Sequence, residues 1–104
     1  MSAWLYLAGA ILLEVAGTTS MKLSHGFSRL LPSVLLFIFY ALAFAGLTVA
    51  LKRLDLSVTY AIWAGVGTIL TAVIGFVMFQ EPVTVWKVLS IVLIIVGVAG
   101  LELG

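Results

Sequence analysis

Glu14 is a carboxylic acid inside an apolar run, roughly Trp4 to Met21, that carries no other charge. At about 1.5 Å of helical rise per residue it stands roughly 15 Å from the start of that run. If the run crosses a bilayer, the acid lies near the middle. A charge at that depth costs on the order of several kcal/mol. The group avoids the cost by keeping its proton or by facing an aqueous cavity. An acid that holds a proton there can trade it for a cation. The competing explanation is a buried salt bridge. Lys22 is the nearest lysine, about 12 Å away along the helix axis. No other basic residue stands at mid-depth in any apolar run.

Residues three and four apart share a helix face. Around Glu14 these are Ala10, Gly17 and Thr18. Small neighbours leave room for a ligand beside the carboxylate, and Thr18 adds a hydroxyl. Small residues also serve close helix packing, and the two uses are compatible. Further along, Tyr60 and Trp63 share a face with Gly67. Aromatic rings attract cations, although Tyr60, near a segment end, also suits an interfacial anchor. Tyr40 stands well inside its segment. Trp4 and Trp86 read as anchors, with Trp4 also placed to line a cavity mouth.

These residues need a scaffold, and composition defines it. Hydrophobic residues make up 64% of the 104-residue chain and charged residues 9%, with a mean hydropathy of +1.36. A soluble domain carries about 25% charged residues, so lipid must cover most of this surface. Four apolar segments are long enough to cross a membrane. They predict an all-α membrane protein, one four-helix transmembrane domain over 1–104, with helices at 3–22, 31–52, 57–80 and 84–103. Pro32 suits the first turn of the second helix, where a missing N–H costs little. Lys87 near a helix end can snorkel. The connections are short, so consecutive helices run antiparallel. Continuous apolar runs exclude the alternating pattern of a transmembrane barrel.

Other chemistries find little support. There is no cysteine, which excludes disulfides and thiol nucleophiles. The single histidine, His25, stands in a polar connection without nearby carboxylates, so neither a metal nor another cofactor is expected. Five lysines and arginines with a net charge of +1 give no basic run for nucleic acid. No nucleophile–base pair points to an enzyme. The first segment lacks a positive leader and is too long for a signal peptide.

Topology is nearly balanced. Lys52 and Arg53 lie with the termini, against Lys22, Arg29 and Lys87 on the opposite side. The positive-inside rule needs a clearer imbalance, so the sequence permits insertion in both orientations. Four helices with one acid make a poor cavity, whereas a dimer gives eight helices and two acids. Dual insertion leads to an antiparallel dimer, an eight-helix bundle whose symmetry is like that of inverted-repeat transporters. Gly65 and Gly67 offer a bending point in the third helix. Gly97 and Gly100, in a fourth helix rich in valine and isoleucine, suit an association surface.

The run Glu14-Val15-Ala16-Gly17-Thr18-Thr19, then Met21-Lys22, Gly26-Phe27, Arg29 and Pro32-Ser33, resembles the small multidrug resistance family. Tyr60-Ala61-Ile62-Trp63-Ala64-Gly65-Val66-Gly67 matches its other strong signature. The similarity covers nearly the whole chain and is closest to the quaternary-ammonium-exporting branch. It implies a proton-coupled antiporter of the bacterial inner membrane working as an antiparallel homodimer. Protons and cationic substrate would compete for Glu14. Tyr40, Tyr60 and Trp63 would hold the cation, with Thr18 and Ala10 lining the cavity. Gly65 and Gly67 would form the switch in the third helix, and Gly97 a dimer contact. Trp4, Ala43, Ala45 and Ser90 depart from the residues usual at those positions. The guanidinium-exporting branch usually carries a tryptophan where this chain has Gly17. That difference implies a wider, greasier site here. Guanidinium export is the nearest alternative, followed by a non-transporting or heterodimeric partner subunit.

Overall fold

A computed structural model describes residues 2–104 and contains four α-helices. They are α1 (Ser2–Leu23), α2 (Leu30–Ala50), α3 (Leu56–Met78) and α4 (Val85–Leu103). No strand occurs among the described residues. The helices hold 22, 21, 23 and 19 residues, and all four are long and apolar enough to cross a membrane. At about 1.5 Å per residue each measures roughly 28–35 Å, close to the ~30 Å of a hydrocarbon core. Every backbone polar group inside lipid needs an internal partner, and helices supply it. The hydroxyls follow the same logic. Thr19, Thr48, Thr68 and Ser90 each donate back to the carbonyl four residues earlier.

Helix ends fall within a few residues of the expected ones, with two informative differences. Helix α2 stops at Ala50 rather than 52, because Lys52 and Arg53 sit in a capping turn. Leu51 N donates to Leu47 O, Lys52 N to Val49 O and Arg53 N to Ala50 O. Helix α3 stops at Met78 rather than 80. Gln80 adopts a left-handed φ of 54°, and Glu81 N donates back to Gly75 O at 3.0 Å. Thr84 then caps α4, its hydroxyl accepting from Lys87 N at 3.2 Å. Pro32 lies in the first turn of α2.

The chain forms two compact units, Met1–Leu54 and Asp55–Gly104. In the first, α1 packs along α2. Ala3, Leu7, Ala10 and Gly17 are buried at spacings of four, three and seven, which with Glu14 counted alternate four and three, the period of a left-handed helix pair. Glu14 occupies the vacant step of that series. Facing them, α2 buries Leu36, Ala43 and Ala50, each seven residues apart. The connection between the helices passes through His25, Gly26 and Phe27 at φ of 48°, 70° and 68°. Phe27 stacks on Phe37 with ring centroids 6.2 Å apart. In the second unit α3 pairs with α4 and runs unbroken through Gly65 and Gly67. No residue of α4 is buried.

Candidate functional site

The carboxylate of Glu14 is half-buried on α1, one turn before Thr18. The Thr18 hydroxyl donates to Glu14 Oε1 at 3.2 Å. It also lies 2.7 Å from the hydroxyl oxygen of Tyr40. A threonine hydroxyl has one proton to give. If that proton goes to Glu14, Tyr40 must be the donor to Thr18. When Glu14 is ionised, the three groups form a directed chain, Tyr40 to Thr18 to Glu14, that ends on the carboxylate. It solvates the acid from one side with protein groups and links α1 to α2 at mid-depth.

Tyr40 reaches this position because position 17 has no side chain. A Cβ at Gly17 would stand 2.6 Å from both Cδ1 and Cε1 of the Tyr40 ring. One turn before Glu14, Ala10 is buried against Gly46, where an added Cβ would lie 3.2 Å from that of Ala10. The small residues beside Glu14 thus serve packing within the hairpin. Gly17 makes room for a ring, and Ala10 makes room for a helix. Ala43 is fully buried, so its methyl group fills the α1–α2 seam. The hydroxyl partner of the acid is Thr18, which in turn meets Tyr40. Trp4 is exposed near the start of α1.

Glu14, Thr18, Tyr40, Ala10, Gly17 and Trp4 belong to the first unit. Tyr60, Trp63, Gly65, Gly67, Gly97 and Gly100 belong to the second. Within that unit Trp63 is buried and Tyr60 is exposed, at 8% and 61% of full accessibility, so two rings one turn apart have different surroundings. Gly65 is buried against α4. A Cβ there would stand 2.6 Å from Cγ2 of Val98 and 3.3 Å from Cγ2 of Ile94. Gly67 is buried as well. Gly97 and Gly100 face open space, with nothing within 4 Å of a built Cβ.

Two residues important to this arrangement escaped the reading of the sequence. Gly46 receives Ala10, and Val98 receives Gly65. A small residue three turns beyond Leu36 signals the first in principle. Val98 carries no signal, because a valine in a valine-rich helix looks like every other. No cluster of three or more His, Cys, Asp or Glu side chains suited to a metal occurs among the described residues.

The family model for Small Multidrug Resistance protein matches residues 2–94. The chain is 56% identical over 100 residues to the uncharacterized membrane protein YvaE of Bacillus subtilis, covering 96% of this chain and 84% of that one. It is 42% identical over 103 residues to the quaternary ammonium compound-resistance protein QacF of Klebsiella aerogenes, covering 99% and 94%. It is also 41% identical over 101 residues to the guanidinium exporter of Yersinia pseudotuberculosis, covering 97% of each. With four membrane-spanning helices and a match over most of its length, the chain belongs to the small multidrug resistance family, transporters of the bacterial plasma membrane.

Proposed function

We propose that this protein exports lipophilic organic cations, quaternary ammonium and aromatic cations among them, in exchange for protons. The main support is the mid-helix Glu14 carboxylate with its directed hydroxyl chain to Thr18 and Tyr40. A carboxylate held this way binds a proton or a cation, and the two compete. Tyr60 and Trp63 supply rings for the cation, and Tyr40 flanks it. The whole chain acts as one four-helix domain, inserts in both orientations and pairs antiparallel with a second copy. Exchange of the two subunits' conformations, with α3 switching at Gly65 and Gly67, opens the site to alternate sides. The open glycines Gly97 and Gly100 provide the contact between copies. The quaternary ammonium resistance in the name of QacF fits this reading.

Guanidinium export is the second reading, favoured by the similarity to the Yersinia pseudotuberculosis exporter. Gly17 weighs against it, because the guanidinium branch usually carries a tryptophan at that position. Proteoliposomes with an imposed pH gradient separate the readings. Tetraphenylphosphonium should be driven across and guanidinium should not. Glu14→Gln should abolish the driven flux of either ion. Persistent coupled uptake by that variant would refute the antiport reading.

A further inference from the structure

The second unit holds a charged cavity that the transport reading leaves unused. It is an open groove along α3 and α4 that reaches the connection between them, with a volume of about 370 Å³. Glu81, Trp86, Lys87 and Phe76 line it together with Ile91 and Ile94. Its two charges are opposite, yet each is engaged elsewhere. Lys87 Nζ donates to Pro82 O at 2.8 Å and stands 5.8 Å from the Phe76 ring centroid. The Glu81 carboxyl group lies over the backbone of Gly75, where a built Cβ would come within 2.9 Å of its Cδ. The turn at Gln80 and the Glu81 N to Gly75 O bond fix this placement.

Depth identifies the occupant. Helix α3 ends at Met78 and α4 begins at Val85, so the cavity mouth lies at the level of lipid headgroups. The exposed Trp86 suits the same level. From Lys87 the cavity follows α4 to Ile94, roughly 10 Å of helix directed into the hydrocarbon. A cation and an anion at the mouth with an apolar wall below match a lipid that carries a phosphate and a primary ammonium. Gly97, the first of the outward glycines, stands about 15 Å along α4 from Lys87, so pairing through Gly97 and Gly100 leaves this mouth clear.

We propose that this cavity binds one aminophospholipid from the surrounding bilayer. Lys87 Nζ takes the phosphate, the Glu81 carboxylate takes the primary ammonium, and an acyl chain lies along Ile91 and Ile94. A quaternary choline headgroup has no N–H to give Glu81. A glycerol headgroup leaves that carboxylate facing a net negative lipid.

Native mass spectrometry of the purified protein, titrated with phosphatidylethanolamine, phosphatidylcholine and phosphatidylglycerol of matched chains, tests this. Phosphatidylethanolamine should bind at one copy per chain, about tenfold tighter than the other two, as a charge-assisted hydrogen bond allows. Glu81→Gln should erase that preference. Lys87→Met should weaken all three lipids, and Lys87→Arg should restore them. Circular dichroism confirms that each variant is folded, and the exposed, near-isosteric Glu81→Gln keeps the test open if Lys87→Met is not. Equal binding of the three lipids by the unaltered protein overturns the proposal. So does a preference that survives Glu81→Gln.

Discussion

The two hairpins are built from similar amounts of apolar helix and use them differently. In α1–α2 the small residues are consumed internally, Gly17 by Tyr40 and Gly46 by Ala10, and α1 buries a continuous stripe. In α3–α4 only α3 buries residues, and α4 presents Gly97 and Gly100 outward with nothing against them. The first hairpin fixes the geometry of an acid and two hydroxyls. The second leaves a face free for a partner or for lipid. A site that must hold a proton at one atom needs the first kind of packing. A surface that must meet another molecule needs the second.

The comparison breaks most completely at Glu14. Replacing it with Gln keeps the volume and removes the exchangeable charge. Cation binding, read by tryptophan fluorescence or calorimetry, should lose its pH dependence along with coupled transport. In the unaltered protein, affinity should fall as pH falls, approaching about tenfold per pH unit where the carboxylate is mostly protonated. A pH-independent affinity in the unaltered protein would end the competition argument.

A large effect is also expected on the open face. Gly97→Leu with Gly100→Leu places branched side chains where two copies must approach closely. Helix association in membranes depends on such close approach. The dimer fraction in detergent, read by cross-linking or light scattering, should fall at least about tenfold. The fold of the α3–α4 hairpin should be unaffected, because a Cβ at either position meets no side chain within 4 Å. An unchanged dimer would move the contact to another face.

The hydroxyl chain comes next. Thr18→Ala removes the donor to Glu14 and leaves Tyr40 without its partner. A hydrogen bond to a charged group contributes about 1.5–3 kcal/mol, so cation affinity at neutral pH should drop by roughly tenfold or more. Thr18→Ser keeps the hydroxyl and should recover most of it. If both variants bind alike, the directed chain does not serve the carboxylate.

The four spans were legible because lipid imposes a pattern on sequence. A run of about 20 apolar residues can hardly be anything else at this composition. Glu14 was legible for the same reason, as the one cost that such a run would not carry without a use. Thr18 was found from helical spacing alone. Its bond to Tyr40 depends on the register between α1 and α2, which no single helix records. Gly17 shows the limit well. Spacing placed it beside the acid, where a cavity and close packing were equally good and compatible readings, and only the structure shows which ring packs there. The ends of α2 and α3 fall two residues before the expected 52 and 80, where turns set by backbone bonds rather than by hydropathy take over.

The smallest predicted effect sharpens the contrast between the hairpins. Glycine to alanine in a helix gains up to about 1 kcal/mol of intrinsic propensity, while overpacking costs about 1–3 kcal/mol. At Gly17 the opposing atoms belong to a tyrosine ring whose hydroxyl is held by Thr18. The ring cannot retreat without breaking that bond, so Gly17→Ala should be clearly destabilising and should weaken cation binding. At Gly65 the nearest atom is the end of the Val98 side chain, on a helix with no buried residue. Helix α4 can shift outward by a few tenths of an ångström and lose little packing. Gly65→Ala should therefore change stability by less than about 1 kcal/mol, close to the balance of the two terms. Thermal denaturation midpoints in the same detergent check the ordering. If Gly65→Ala proves the more damaging of the two, α3 and α4 are packed as rigidly as α1 and α2, and the division of labour between the hairpins is wrong.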